Sequence, residues 1–196
     1  MGAEVQRRGP LQSVVRVRRA RKCFFIEPHC GDAFFGRGQL YGSPDDASRF
    51  AFLSKAALEF LLKAGKRPQI IHCHDWQTAL VPVLLFEIYQ GLGMEAQRVC
   101  FTVHNFGHQG VAGEWVLWAT GLCDPGRYFC CERLRDEFNP VALNLLKGGI
   151  VYANFVTTVS PGTRWRRATP SRDAASGTRC TCTATSSSPL SRYWAR

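Results

Sequence analysis

Polar side chains able to bind ligands or move protons follow two strand-like runs of this chain, residues 69–73 and 98–103. They are His74 and Asp75 after the first run, and His104 and Asn105 after the second. A helix-length stretch separates the runs, which predicts two parallel strands whose carboxyl ends meet at one edge of a sheet. Ligands of open α/β sheets bind at that edge. Imidazole and carboxylate groups placed there suit a sugar, because they bind hydroxyl groups and balance developing positive charge.

Neighbouring residues extend this polar set. Gln109 adds a neutral donor and acceptor, and Gly107 and Gly110 would let a ligand approach backbone N–H groups closely. A third strand tip, at Ser160, is expected at the same edge. No Ser or Cys is placed beside a base, so the pattern favours binding of a polyhydroxylated ligand over nucleophilic catalysis.

Most of these residues also have a purely structural interpretation. His72 is predicted to be a packed, hydrogen-bonded histidine, and His74 is equally consistent with loop structure and with a site. Asp75 could simply cap the helix that starts near Thr78. The His-x-His spacing lacks a third ligand nearby, so no metal site is predicted. The pair that begins at His104 favours a site, because a polar pair directly after five β-type residues has no structural purpose of its own.

The run Lys147-Gly148-Gly149 resembles a phosphate-binding loop only in composition. It lies inside an apolar, helix-like run and not in a strand-to-helix turn, where phosphate loops occur. The two glycines are therefore predicted to allow close packing of a helix against the sheet.

Strand and helix patterns alternate along the middle of the chain, which predicts an α/β fold with a parallel sheet covered by helices. The predicted elements are a buried strand over 23–27, a helix from Ser43 to Gly65, a strand over 69–73, a helix over 78–90, a strand over 98–103, a helix over 140–153 and a strand over 155–159. The first helix is expected to open with a capping box of Ser43, Pro44 and Asp46. Residues 106–137 give no secure pattern.

The charge of the chain is concentrated at its two ends. The formal net charge is +10, but residues 1–22 and 164–196 each carry +6, which leaves −2 for residues 23–163. A core of that charge does not favour nucleic-acid binding. Cysteines that lie within apolar runs, such as Cys73 and Cys100, indicate a reducing compartment. No apolar run reaches the roughly 18 residues of a membrane span.

The motifs of residues 23–163 resemble, in order, those of the starch and glycogen synthases. The matching segments are Phe25-Ile26-Glu27-Pro28, Asp46 through Arg49-Phe50 with Ala56-Ala57-Leu58-Glu59, Ile70-Ile71-His72-Cys73-His74-Asp75-Trp76-Gln77-Thr78-Ala79, Phe101-Thr102-Val103-His104-Asn105 with Gln109-Gly110, and Leu146-Lys147-Gly148-Gly149 through Val156-Thr157-Thr158-Val159-Ser160-Pro161. The residues of these motifs are most similar to those of the soluble plastid starch synthases of plants and algae.

This resemblance implies a GT-B glycosyltransferase fold of two Rossmann-like domains, with this chain forming an incomplete N-terminal one whose parallel sheet has helices on both faces. It implies transfer of glucose from ADP-glucose to the non-reducing end of an α-1,4-glucan in a plastid, with no metal and no cofactor beyond that donor. ADP-glucose and the α-glucan acceptor are the implied partners, without nucleic acid or membrane. The implied catalytic residues are His104 and Asp75, and the implied substrate-binding residues are His104, Asn105 and Gly110.

The chain departs from the family pattern on both sides of the matched region. The Lys-x-Gly-Gly-Leu loop of the family does not precede residue 23, and its second domain does not follow residue 163. We therefore expect a partial catalytic domain over 23–163, a basic, disordered or non-native segment over 1–22, and a basic, disordered or frameshifted tail over 164–196. Without the phosphate-binding cations of the second domain, little or no synthase activity is expected. A non-catalytic module that binds carbohydrate or a nucleotide sugar is the alternative.

Overall fold

The computed structural model of the 196-residue chain describes residues 15–20, 23–28 and 34–159. The chain divides into two compact units, Met1–Thr157 and Thr158–Arg196, and nearly all described residues belong to the first. The predicted strand tip at Ser160 and the tail over 164–196 lie outside the described residues. The domain boundaries assigned to the two ends therefore stay predictions.

The described part of the chain contains seven strands and five α-helices. In chain order they are β1 (Val15–Ala20), β2 (Cys23–Pro28), α1 (Asp46–Lys63), β3 (Ile70–His74), α2 (Leu80–Leu84), β4 (Arg98–Val103), β5 (Val111–Gly113), α3 (Trp115–Thr120), α4 (Pro125–Tyr128), β6 (Ala142–Asn144), α5 (Leu145–Tyr152) and β7 (Phe155–Thr158). The irregular region predicted over 106–137 thus holds three short elements. Of the described helices, none has the length and apolar character needed to cross a membrane.

A three-stranded sheet of order β3-β4-β7 forms the centre of the first unit. Strands β3 and β4 are parallel, with Cys73 opposite Phe101 and His74 opposite Thr102. Cys73, Val99, Phe101 and Val103 are buried among the helices, and Ile71 is half-buried beside them, because these apolar side chains point to one face of the pleated sheet. The predicted parallel pairing of the two motif-bearing strands is confirmed.

Close packing of α5 on the sheet requires its two glycines. A Cβ atom at Gly149 would lie 2.7 Å from Cζ of Phe101 and 2.9 Å from Cβ of Ala79. A Cβ atom at Gly148 would lie 3.0 Å from Cγ of Leu134. The prediction of close packing against the sheet is confirmed for Gly149, whereas Gly148 packs against the loop residue Leu134 and against Val83 of α2.

A strand forms over 23–27 as predicted, but the prediction that it is buried is wrong. β2 pairs antiparallel with β1 in a separate two-stranded sheet, and its residues are exposed or half-buried, with Phe25 52% exposed. The hairpin contacts α1 through the ring of Phe24, whose centroid lies 4.8 Å from that of Phe60. The apolar run therefore covers a helix and does not enter the central sheet. Its partner β1 lies within segment 1–22, for which disorder or a non-native origin was expected.

Two predicted helix starts are displaced. The capping box at Ser43 does not form, because the Asp46 carboxylate binds Arg49 at 2.7 Å and accepts from Gly42 N–H. The helix begins at Asp46 and ends as predicted before Gly65, which has φ of 63°. The last helix begins at Leu145 and not at 140, because Asn144 caps it.

The predicted helix over 78–90 is helical but irregular. A 3₁₀ turn over Trp76–Thr78 leads into α2, and a π-helical stretch over Leu85–Tyr89 follows. The helical run ends at Gly93, whose φ is 92°, and not at Gly91. The π-helical stretch carries Glu87, whose side chain is 1% exposed.

The Glu87 side chain joins several parts of the chain. Its carboxylate forms ion pairs of 2.7 Å with Arg127 and 2.9 Å with Arg133 and accepts a 2.8 Å hydrogen bond from the Tyr152 hydroxyl. Burial and the neighbouring carboxylate raise the pKa of Tyr152. The network satisfies a buried carboxylate, which would otherwise destabilise the fold.

Candidate functional site

The carboxyl ends of β3 and β4 bring the two histidine motifs together. Nδ1 of His74 lies 3.1 Å from Nε2 of His104, and the two ring centroids are 5.3 Å apart. Both histidines are exposed. The residues predicted from the two strand ends therefore form one cluster, although 30 positions separate them in the sequence.

Asp75 links the two strand ends through its side chain and its backbone. Its Oδ1 accepts a 2.7 Å hydrogen bond from His104 N–H and a 3.3 Å hydrogen bond from Asn105 N–H. Its own N–H donates to the carbonyl of Thr102 at 3.0 Å. The carboxylate thus fixes the turn that carries His104 and Asn105. It does not cap the following 3₁₀ turn, which has no side-chain cap bond.

The backbone of Asp75 is strained. Its φ of 56° and ψ of −178° make it the one non-glycine residue with positive φ in the described part of the chain. This region of backbone conformation is occupied almost only by glycine and costs about 1–3 kcal/mol. Such strain persists where the surroundings enforce it, and it clusters at functional sites. Here the hydrogen bonds of Asp75 enforce it, namely the three above and a fourth that Thr78 N–H donates to its carbonyl at 3.2 Å.

His72 has a structural role on the same strand. Its Nε2 lies 2.7 Å from Oγ1 of Thr102, which in turn lies 2.7 Å from Oγ1 of Thr157. The chain of contacts crosses all three strands of the sheet. His72 is hydrogen-bonded as predicted, but it is exposed and not packed in the core, because its side chain points to the sheet face opposite Cys73.

The surroundings of His74 favour its neutral form. Partial desolvation of the largely exposed His74 ring, and then the nearby positive charges of His72 and His104, hold the pKa of His74 below its usual value of 6.5, although Asp75 acts in the opposite direction. Burial likewise raises the pKa of the neighbouring Cys73 thiol to about 12. A thiol with that pKa stays protonated and is a poor nucleophile at neutral pH. The chemistry of the cluster therefore depends on imidazole and carboxylate groups.

An open cleft of about 510 Å³ flanks the cluster. It is lined by Trp76, residues 106–111, Asp136 and Phe138. His104 and Asn105 immediately precede the loop that forms its wall, but they and Asp75 do not line it. Gly110 does line it, with φ of 64° and with the Trp76 ring against its Cα, so that a Cβ atom there would lie 2.7 Å from Cδ2 of Trp76. The cleft and the cluster are thus adjacent parts of one edge.

Asp136 and Asn144 support the cleft and were not predicted. The Asn144 side chain accepts from Lys147 N–H at 2.9 Å and donates to Asp136 Oδ2 at 2.9 Å and to the side-chain oxygen of Gln109. Burial opposes ionisation of Asp136, but the hydrogen bonds from Asn144 and two backbone N–H groups outweigh it and hold its pKa below the usual value. An Asn directly before a helical run is a capping signal, so only Asn144 was detectable in the sequence.

The loop over 106–110 is also held by the backbone of α5. Leu145 N–H donates to the Gly110 carbonyl at 3.3 Å, and Leu146 N–H donates to the Gln109 carbonyl at 3.0 Å. These N–H groups are the ones that a helix start leaves without partners inside the helix. The apolar helix that packs on the sheet thus also positions the wall of the cleft.

The described residues contain no group of three or more His, Cys, Asp or Glu side chains placed to hold a metal ion. What the edge offers is a set of hydrogen-bonding groups beside aromatic rings: imidazoles, a carboxylate, amides and the rings of Trp76, Phe106 and Phe138. Sugars combine many hydroxyl groups with apolar C–H faces. The arrangement therefore suits a carbohydrate better than a purely apolar ligand.

Comparisons with known proteins agree with this arrangement. A family model for the starch synthase catalytic domain matches residues 7–177. Glycogen synthase 1 of Synechococcus sp. (strain JA-3-3Ab) is 72% identical over 141 residues, which are 72% of this chain and 29% of that protein. The solved catalytic domain of Starch Synthase IV from Arabidopsis thaliana, bound to ADP and acarbose, is 47% identical and aligns with a TM-score of 0.68 over 70% of this chain and 28% of that one.

The same comparisons refine the resemblance. The chain spans less than a third of the length of these relatives. Probable starch synthase 4, chloroplastic/amyloplastic, of Arabidopsis thaliana is 48% identical over 137 residues, well below the cyanobacterial glycogen synthase. The predicted family and α/β fold class are confirmed, whereas particular similarity to plastid enzymes is not supported. The chain belongs to the starch synthase catalytic domain family of glycosyltransferases.

Proposed function

We propose that this chain forms the sugar-binding part of an ADP-glucose-dependent glucosyltransferase that extends α-1,4-glucans. The observation that carries the proposal is the joining of His104, Asn105 and Asp75 at one sheet edge, beside the cleft that contains Gly110. Membership of the starch synthase family supports glucan synthesis as the activity of the whole protein.

Each group has a chemical task in this proposal. The His104 ring binds a hydroxyl group of the donor glucose, and Asn105 adds a neutral donor and acceptor. The Asp75 carboxylate fixes the turn that carries both and places a negative charge near the sugar, where positive charge develops as the glycosidic bond to ADP breaks. Among the described residues, hydrogen bonds reach only Oδ1 of Asp75, so Oδ2 can accept from the ligand.

Equilibrium binding tests the proposal. Isothermal titration of the purified chain with ADP-glucose, and separately with maltotetraose, should give saturable binding that His104→Ala weakens by about tenfold, the loss of one hydrogen bond to a ligand. Lys63→Ala is the control, because that exposed side chain lies in the last turn of α1 and does not line the cleft. Equal affinities for wild type and His104→Ala would contradict the proposed role of His104.

Catalysis by the 196 residues alone is a separate question. We expect the purified chain to incorporate little or no glucose from labelled ADP-glucose into glycogen or maltotetraose, because the resemblance places the cations that bind the leaving diphosphate in a second domain. Measurable incorporation would contradict this expectation. Binding without turnover would also be the behaviour of the second candidate function, a carbohydrate or nucleotide-sugar binding module.

The relatives bear on the product and on the compartment. The 72% identity to a glycogen synthase favours a glycogen-like product, whereas the 48% identity to a chloroplastic/amyloplastic relative supports the plastid location that the resemblance implied. Imaging of the tagged full-length protein in its native cells would distinguish a plastid from the cytoplasm.

A further inference from the structure

His74 and His104 make the closest ring-to-ring polar contact of the site. Nδ1 of His74 and Nε2 of His104 are 3.1 Å apart, within hydrogen-bond distance. A neutral imidazole carries one N–H group and one lone pair. One ring must therefore donate and the other accept, so the tautomers of the two rings are complementary.

His74 is held rigidly enough to control its neighbour. Its N–H and its carbonyl both bind Oγ1 of Thr78, each at 2.7 Å, which fixes the backbone at the root of the side chain. Its ring centroid lies 4.2 Å from that of His72. The His72 ring is itself fixed by its 2.7 Å contact with Thr102. His74 is thus held from both its backbone and its ring.

The His104 ring is held mainly by this contact. Its backbone N–H binds Asp75, but of the hydrogen bonds in the described part of the chain, the one to His74 alone involves its ring. Because Nε2 faces His74, Nδ1 is the ring atom left for a ligand. Whether Nδ1 donates or accepts is then decided by the tautomer that His74 imposes.

We propose that His74 is a positioning residue that fixes the orientation and the tautomer of His104, so that His104 presents Nδ1 to the sugar. The part of this proposal that concerns the sugar rests on the proposed function, whereas the part that concerns the tautomer does not. The alternative is that the rings are merely neighbours at an exposed edge and that His104 exchanges freely between tautomers.

Nitrogen NMR spectra of the full chain labelled with ¹⁵N-histidine distinguish these alternatives. They are recorded at pH 8, where histidine side chains are neutral. In the wild type, each of the two rings should show one pyrrole-like and one pyridine-like nitrogen, the signature of a single tautomer. In His74→Phe, the two nitrogens of His104 should move towards averaged values. His74→Gln keeps a hydrogen-bond partner for Nε2, so its His104 nitrogens should stay closer to the wild-type values than those of His74→Phe.

The control is His108→Gln, which removes another exposed histidine without touching the contact between His74 and His104 and should leave the His104 signals unchanged. Averaged His104 nitrogens in the wild type, or unchanged ones in His74→Phe, would overturn the proposal. The wild-type spectrum alone gives this result even if a variant fails to fold.

Ligand binding provides the second readout. His74→Phe should weaken binding of ADP-glucose or maltotetraose by about tenfold, and His74→Gln should recover most of that loss. Equal affinities for His74→Phe and wild type would overturn the positioning role. A single His104 tautomer in a chain that binds neither sugar would support the assignment of His74 and contradict the proposed function instead.

Discussion

The strained backbone of Asp75 predicts an inverted order of stability between alanine and glycine variants. Asp75→Ala removes the carboxylate that accepts from His104 and Asn105 N–H groups but keeps a Cβ atom at φ of 56°. Hydrogen bonds to a charged group contribute about 1.5–3 kcal/mol, and the two freed N–H groups lie on exposed residues that water can reach. We therefore expect Asp75→Ala to lower the free energy of unfolding by about 2 kcal/mol.

Asp75→Gly loses the same hydrogen bonds but relieves the strain. The relief is about 1–3 kcal/mol, reduced by the extra flexibility of glycine in the unfolded chain, about 0.4–1 kcal/mol. The glycine variant should therefore be more stable than the alanine variant by about 1 kcal/mol. Urea denaturation of the two variants, monitored by circular dichroism, measures the difference.

The control pair is Lys63→Ala and Lys63→Gly in the last turn of α1, where the side chain is exposed. There alanine should be more stable than glycine, because glycine is a poor helix former. If Asp75→Ala is as stable as Asp75→Gly, the backbone at residue 75 is not strained and the argument that the surroundings enforce this site is wrong.

Three further perturbations test the support of the site and its pH dependence. Gly110→Ala should lower the free energy of unfolding by about 2–4 kcal/mol, because the added Cβ atom would overlap Trp76 at a positive φ. Gly36→Ala, with open space around it, should change the free energy of unfolding little, and equal urea midpoints for the two variants would contradict the prediction. Asn144→Ala should lower the free energy of unfolding, measured by urea denaturation, by about 2–4 kcal/mol through loss of the helix cap and of the hydrogen bonds to Gln109 and Asp136. A loss no larger than that of Asp124→Ala at the cap of α4 would show that the bonds to Gln109 and Asp136 contribute nothing. Because the pKa of His74 is lowered in the folded chain, the unfolded chain binds more protons than the folded chain as the pH falls below about 6.5, and folding stability should decrease in that range. His74→Gln should flatten the pH dependence of the melting temperature, and an unchanged slope would contradict this role of His74.

The central sheet was predictable because its signals are local. The runs over 69–73 and 98–103 are apolar, β-prone and separated by a helix, and the right-handed crossover rule then leaves parallel pairing as the favoured arrangement. The placement of His74, Asp75 and His104 at one edge follows directly from that pairing. The distances between these side chains required coordinates.

Errors arose where long-range contacts override local patterns. The apolar residues of β2 predict a core strand, but they pair with β1 and cover α1. Asp46 has the spacing of a capping box, yet its carboxylate forms an ion pair with the buried guanidinium of Arg49. An ion pair of this kind depends on burial that the sequence does not reveal.

The parts of the site that were missed come from the region without periodicity. Asp136 lies in a loop, and its role depends on Asn144, which brings Gln109 within hydrogen-bond distance although 35 positions separate the two. The contact of Gly110 with Trp76 likewise joins two loops. Short elements such as β5 and β6 stabilise each other by pairing and carry little signal individually.

Mapping of ligand-induced shifts on the backbone amides of the ¹⁵N-labelled chain tests most directly whether this sheet edge binds sugars. Titration with ADP-glucose and with maltotetraose should perturb the amides of His74, Asp75, His104, Asn105 and Gly110. It should leave unchanged the amides around Glu87, whose ion pairs are with Arg127 and Arg133. Shifts that saturate at the strand ends would support the site. An absence of shifts, or shifts centred on Glu87, would contradict it.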